Sequence, residues 1–460
     1  MAETSTTGAA GPARRWSDAL RVYLEPASLR MFFLGFSAGL PLLLVLGTLS
    51  FRLREAGIDR ATIGYLSWVG LAYGVKWAWA PLVDRLPLPW LTRALGRRRS
   101  WLLLAQAGVV AGLVGMALAD PRAGLNGLIG FALLVAFSSA TQDIALDAYR
   151  IEAVETEKQG AMAATYQAGY RIAMITAGAG ALWIAASVDP SEATYDFRPW
   201  QVAYTVMAAL MAVGILTTLI IREPEKKISS VTTEREAHTR ERFAAAGLSG
   251  WLLTATAWFH SAVLSPFIDF IQRYKWQALL MLALIAVYRI SDVVMGVMSN
   301  PFYQEMGFTK DEVATVSKVY GVIMTIAGAG LGGLLVLRLG VMRTLFLGAV
   351  LSAATNLLFV WLAGRGHDVG ALVFTVSADN LSAGIASSAF VAYLSGLVNQ
   401  AYSATQYALF TSVMLLLPKF IAGFSGEFVD AYGWANFFTG TALIGVPVLL
   451  LVWLVGRAKT

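Results

Sequence analysis

Apolar residues in this chain gather into long stretches broken by short polar connections. A helix needs about 20 mostly apolar residues to cross the hydrocarbon layer of a bilayer. Two groups of six such stretches are present, the first at roughly 30–52, 61–83, 100–120, 123–149, 159–187 and 200–221. The second group runs roughly 277–301, 312–337, 342–363, 370–397, 402–425 and 434–456. Between them, 222–276 opens with the charged run REPEKKISSVTTEREAHTRERF. The pattern predicts an all-α polytopic membrane protein with a tail at 1–28 and a six-helix bundle over 29–221. A linker over 222–276 and a second six-helix bundle over 277–456 complete it, the two bundles being a parallel duplication.

The stretch 244–268 carries no formal charge and could be counted as a thirteenth crossing. Orientation argues against it, because an odd crossing would invert the second bundle relative to the first. With twelve crossings and both ends cytoplasmic, 23 of the 35 Lys and Arg residues fall in cytoplasmic segments and 7 in external ones, with 5 inside crossings. That asymmetry is the positive-inside pattern. Residues 248–275 are then expected to form a helix along the cytoplasmic surface, with Trp251, Trp258, Phe259, Phe267 and Phe270 entering the interface. The tail at 1–28 lacks the basic start, short apolar core and cleavage site of a secretion signal, so the first apolar run is read as an uncleaved crossing.

Composition narrows the function. The chain is 57% hydrophobic and only 14% charged, where a soluble domain carries about a quarter charged residues. The net charge of +6 sits in loops between crossings, which excludes a nucleic-acid surface. No cysteine is present, and His238, His260 and His367 have no ligand spacing, so neither a metal nor another cofactor is expected. Metalloprotease, serine-hydrolase and phosphate-loop motifs are missing, and so is a soluble signalling domain. An enzyme and a sensor are therefore both disfavoured, and nothing requires more than a monomer.

What remains is a set of ionisable residues inside the crossings. Each costs roughly 2.5–3.5 kcal/mol to place at the middle of a membrane helix, and such residues mark solute or proton pathways. Lys76 lies in the second crossing, Asp143 and Asp147 in the fourth, Arg171 in the fifth. Arg289 and Asp292 lie in the seventh, Lys318 in the eighth, Asp379 in the tenth and Lys419 in the eleventh. Asp143 and Asp147 are four apart and share a helix face. Two ionised carboxylates this close repel in a low dielectric, so the pair is the candidate proton carrier. A static network with Lys76, Arg150 or Arg171 is the alternative, with Asp147 the more structural member. Gln142 and Tyr170, with Asn380 and Gln406, supply neutral groups for hydroxyls and amides, while Lys76, Arg171, Arg289 and Lys318 suit an anionic solute. Asp292 could satisfy Arg289 on one face. Asp379, with Asn380, occupies the tenth crossing where Asp143 occupies the fourth, the placement expected of a site at the pseudo-twofold interface. Arg171 is flanked by Gly169, Ala173, Ala177, Gly178 and Gly180, which allow close helix approach.

The connection after the second crossing carries Asp84, Arg85 and then Gly96, Arg97, Arg98 and Arg99. Its residues resemble the signature loop of major facilitator proteins, with an insertion between the two parts and Trp79-Ala80-Pro81 at the leading glycine. Asp84, Arg85, Arg97 and Arg98 are the candidate latch between conformations; plain topogenic charge is the other reading. More specific blocks are IGYLSWVGLAYGVKWAWAPLVDR, GRRRSWLL, SSATQDIALDAYR, VYRISDVVMG and YSATQYALFTS. Through these the chain resembles the muropeptide permease family known as AmpG, from about residue 29 to about 456.

The resemblance implies a major facilitator fold of twelve transmembrane helices in the bacterial inner membrane. It also implies proton-driven import of N-acetylglucosaminyl-anhydro-N-acetylmuramyl peptides, anionic glycopeptides released in cell-wall turnover. Acetyl-CoA-type transporters share a version of the fourth-crossing block, so another anionic metabolite such as an acyl-CoA is the alternative substrate.

Overall fold

The computed structural model describes residues 21–58, 66–155, 158–188, 195–225, 230–245, 249–308, 310–422 and 424–458. Eleven helices among them are long and apolar enough to cross a membrane. In the first half these are Pro26–Leu53, Arg97–Leu118, Leu125–Ala153, Gln159–Val188 and Phe197–Ile220, the first, third, fourth, fifth and sixth crossings. In the second half they are Gln277–Tyr303, Thr315–Leu339, Val341–Ala363, Val369–Leu397, Gln400–Ala422 and Ser425–Arg457, the seventh to twelfth. Among the described residues there is no strand.

The second crossing differs from the uniform helix expected at 61–83. From Ser67 to Arg85 it is assembled from short pieces: Ser67–Gly70, Leu71–Val75, Lys76–Ala78 and Ala80–Arg85. Gly70 and Gly74 weaken the ladder and Pro81 cannot donate to it, so the turns tighten to three residues around Lys76. Other crossings carry local faults as well. The fifth widens to a π-helix at Thr176–Gly180, the eighth at Ala314–Tyr320. The seventh breaks between Gln277–Val287 and Ile290–Glu305, and Gly433, at φ 77°, kinks the helix that becomes the twelfth.

Each half has its own apolar core. One core joins Leu44, Leu113, Val135, Trp200 and Met207 of the first half; the other joins Met281, Phe302, Phe359, Phe390 and Phe438 of the second. Crossings one and five pack backbone to backbone. A Cβ on Gly35 would overlap the Tyr166 carbonyl, and one on Gly169 the Phe32 carbonyl. That closeness fixes where the Tyr166–Arg171 face points. The eighth and tenth crossings repeat the device through Gly328 and Gly384.

The halves meet at the end that carries the basic connections. Tyr23 donates to the Gly330 carbonyl at 2.6 Å, Gly160 packs on Val336, and Gln167 donates to Ser387 at 2.7 Å. At the opposite end, Gly47–Glu55 and Ala181–Val188 pack within their own half, and no comparable packing joins the halves among the described residues. The linker stretch forms Ser230–Ala245, Gly250–Phe259 and Ser265–Tyr274, the last two bridged by a π turn. The final helix lies across the basic end, against the start of the eleventh crossing.

Candidate functional site

At the basic end the loop residues expected as a latch come together. Arg98 is fully buried. Its guanidinium reaches Asp84 at 2.8 Å and Glu152 at 2.6 Å and 3.0 Å, and it donates to Ser403 of the other half at 2.7 Å. Asp84 in turn accepts from the amides of Ala404 and Thr405 and from the Thr405 hydroxyl, at 3.1, 2.7 and 2.7 Å. Those amides open the helix of the eleventh crossing, where backbone N–H groups have no helical partner and a carboxylate is favoured. Arg97 donates to the Asp84 carbonyl at 2.6 Å. Arg85 donates to the Ser261 carbonyl of the linker at 3.2 Å and lies over the Tyr402 ring.

Sequence reasoning named four of these residues and missed their partners. Glu152, Ser403 and Thr405 carried no signal beyond the helix-start pattern of a Ser before an apolar run. Arg150, read as the end of the fourth crossing, is a second cross-half link. It donates to Gln159 at 2.6 Å and Ser395 at 2.9 Å, and its guanidinium lies 5.2 Å from the Tyr407 ring centre.

Deeper in, the ionisable residues divide. Asp143 is ten residues from the basic end of the fourth crossing, about 15 Å along the axis. Its Oδ1 is buried and accepts no hydrogen bond from a described residue, and Lys76, Asp147, Tyr166 and Tyr170 lie within electrostatic reach. Asp147, one turn nearer the basic end, pairs with Arg150 at 3.4 Å. The Tyr166 and Tyr170 rings lie tilted against each other, their centroids 5.9 Å apart. Arg171 touches the Met174 sulfur at 3.9 Å and feels the charge of Arg289 across the halves. Arg289 sits in the break of the seventh crossing and pairs through Nε with Asp292 at 2.9 Å. Asp292 also accepts from Ser352.

Three expected site residues are engaged elsewhere. Gln142 is fully buried and donates to Ser37 of the first crossing at 3.0 Å. Asn380 ties the tenth crossing to the eighth, accepting from Thr325 at 2.8 Å and donating to the Val376 carbonyl. Gln406 is buried in the linker contact, donating to the Pro266 carbonyl and Asp269 at 2.8 and 3.1 Å and accepting from the Asn399 amide at 2.7 Å. Asp379 is bonded by Thr355 at 3.4 Å. The fourth and tenth crossings are both 29 residues long, so depth can be compared directly. Asp143 is the nineteenth residue of one and Asp379 the eleventh of the other. Asp379 therefore sits about 12 Å further from the basic end, and Ser387 is the depth counterpart of Asp143. The side chain of Lys318 lies outside the described residues.

One regularity links the cations. Lys76 opens a tight turn, Arg289 sits in a helix break, Lys318 falls inside a π segment and Arg171 precedes one by a turn. Broken or widened helices leave backbone groups to a cavity rather than to lipid, and they gather at the sites of membrane transporters.

The sequence profile of the Major Facilitator Superfamily matches residues 31–301. The anhydromuropeptide permease of Escherichia coli K12 is 34% identical over 441 residues, covering 95% of this chain and 81% of that one. The putative transporter AmpG 4 of Rickettsia conorii is 32% identical over 432 residues, 94% of this chain and 97% of that one. The chain belongs to the AmpG family of the major facilitator superfamily.

Solved structures agree on the fold of this AmpG-family member. The major facilitator transporter FucP, in its outward conformation, aligns with a TM-score of 0.66 at 13% identity, over 95% of this chain and 99% of that one. The proton:xylose symporter XylE aligns at 0.61 and 13%, over 95% and 96%. The AmpG-family chain is thus a multi-pass transporter rather than an enzyme, and its two six-helix halves are those of the superfamily.

Proposed function

We propose that this transporter is a proton-coupled importer of cell-wall turnover glycopeptides, GlcNAc-anhydroMurNAc peptides, from the periplasm to the cytoplasm across a bacterial inner membrane. The permease relative supports the substrate class. The excess of Lys and Arg at the joined end supports placing both termini in the cytoplasm, with the helix Ser265–Tyr274 lying on that surface. On this orientation the packing between the halves lies on the cytoplasmic side, and no comparable packing joins the described residues on the periplasmic side.

The observation that carries proton coupling is Asp143. A carboxylate oxygen buried without a donor is expensive when ionised, and a proton on it removes that cost. Lys76 nearby supplies a competing charge, so a small change in the surroundings of Asp143 decides whether the proton stays. Substrate carboxylates would meet Lys76, Arg171 and Arg289, and the Tyr166–Tyr170 pair would face the sugar rings. Asp292 holds Arg289 in place, and Asp379 is a second acid on the same wall.

Proteoliposomes test the reading. With an inward proton gradient, the parent should accumulate GlcNAc-anhydroMurNAc-tetrapeptide, and Asp143→Asn should insert normally yet lose gradient-driven uptake. Equal accumulation by the variant would make Asp143 structural. Uptake of acetyl-CoA in place of the glycopeptide would move the substrate assignment.

A further inference from the structure

Arg171 and Arg289 stand at matching depth on opposite halves. Each is twelve residues in from the basic end of its crossing, Gln159–Val188 and Gln277–Tyr303 respectively, about 18 Å along the axis. Both side chains keep partial exposure. Each lies within electrostatic range of the other. Among the described residues Arg171 has no acid partner; its side chain meets a methionine sulfur. Arg289 engages Asp292 through Nε. The fork of a guanidinium carries five donors, so one contact with Asp292 leaves others on Arg289 for an anion.

Two guanidiniums that face each other across a low-dielectric gap repel. Among the described residues the halves are joined from the basic end up to the depth of Gln167 and Ser387, and no comparable packing joins them at the opposite end. Bringing the open ends together shortens that separation, which is unfavourable unless an anion comes between. Guanidinium binds carboxylate through paired, charge-assisted hydrogen bonds, and one carboxylate has two oxygens to offer two forks.

We propose that Arg171 and Arg289 form a two-sided clamp in which a substrate carboxylate bridges the halves and thereby permits the periplasmic end to close. The clamp rests on the import reading above and specifies its substrate-dependent step. The empty protein resists closure by charge repulsion, and a neutral solute of the same shape binds without closing it. Anion recognition and conformational change are then one event, because the ligand interacts differently with the open and closed states. Protons do not run down their gradient alone, since the form that carries a proton without the anion does not close. The break of the seventh crossing at Arg289 and the π segment after Arg171 are where those helices can bend as the clamp draws in.

The chain has no cysteine, so spin labels can be placed without background. Ser187→Cys ends the fifth crossing and Gly364→Cys follows the ninth, one in each half at the open end. The full-length protein in nanodiscs is probed with GlcNAc-anhydroMurNAc-tetrapeptide and with the same compound amidated at its carboxyls. The expected result is a shorter label distance with the acid and an unchanged distance with the amide. Arg171→Gln should abolish the shortening, and Arg171→Lys, which keeps the charge and tests for a folding defect, should restore part of it. Closure by the amide, closure in Arg171→Gln equal to the parent, or no closure with any anion would overturn the clamp. Closure by acetyl-CoA alone, lost in Arg171→Gln, would keep the clamp and overturn the glycopeptide assignment. The gradient-driven uptake of Asp143→Asn judges proton coupling separately.

Discussion

The basic end and the middle of this transporter treat buried charge in opposite ways. At the basic end Asp84 takes bonds from an arginine, two amides and a hydroxyl, and Glu152 takes bonds from Arg98 and Ser403. At the middle Asp143 leaves an oxygen without a donor, and Arg171 has no described acid. Charges that hold two halves together must be satisfied in that state, because a buried lone charge is costly. Charges that handle protons and anions must be left wanting. The contrast separates residues that set the conformation from residues that wait for cargo.

The strongest way to break the comparison is to remove Arg98. Arg98→Ala leaves Asp84 and Glu152 buried together without their cation, and deleting one partner of a buried pair costs about 3–5 kcal/mol. Asp84 keeps its amide donors from the eleventh crossing, so the loss falls mainly on the joined state. The expected outcome is a population shifted away from the closed basic end. It would be read as a longer distance between labels at that end and as weaker uptake with normal insertion. An unchanged distance would place the adhesion of the halves elsewhere, in the Tyr23 and Gly160 contacts.

A middle-sized effect is expected at Gln406. Its amide joins the linker helix to the eleventh crossing through Pro266, Asp269 and Asn399, and Asp269 is itself held by Arg273 at 2.8 Å. Gln406→Ala strands the Pro266 carbonyl and the Asn399 amide, and each stranded buried group costs about 1–3 kcal/mol. Thermal stability in detergent should fall, while the KM for substrate should hold. A raised KM with unchanged stability would return Gln406 to the substrate site, where its amide placed it on sequence grounds.

How much could be read from the chain follows the same division. The bundles were legible because apolar length is a one-dimensional property, and the latch was legible because Asp84 and Arg98 lie close in sequence. Their closest partners were not. Glu152, Ser403 and Thr405 meet the loop only after two halves of the chain dock, and no spacing encodes that. The intramembrane acids and bases were found by being out of place, but a neutral amide is not out of place. Gln142, Asn380 and Gln406 therefore gave no indication of whether they faced the cavity or another helix. The second crossing was misread in shape because apolar content ignores the glycines and the proline that break its helix around Lys76.

The smallest expected effect is the sharpest test, since it compares neighbours. Gln142 and Asp143 are consecutive, so they point about 100° apart around one helix. Each leaves one oxygen without a donor, so an orphan atom alone does not mark a working site. What separates them is charge and surroundings. Gln142 is neutral and fully enclosed against Ser37, whereas Asp143 is ionisable and grouped with Lys76, Tyr166 and Tyr170. Gln142→Leu deletes one hydrogen bond, a loss of about 1 kcal/mol. It also deletes the orphan carbonyl, a gain of similar size. The two nearly cancel, so stability should move by less than about 1 kcal/mol, and gradient-driven uptake should persist. Loss of uptake in this variant as complete as in Asp143→Asn would mean that the whole polar face of the fourth crossing acts together, and the line drawn here between packing and proton transfer would fall.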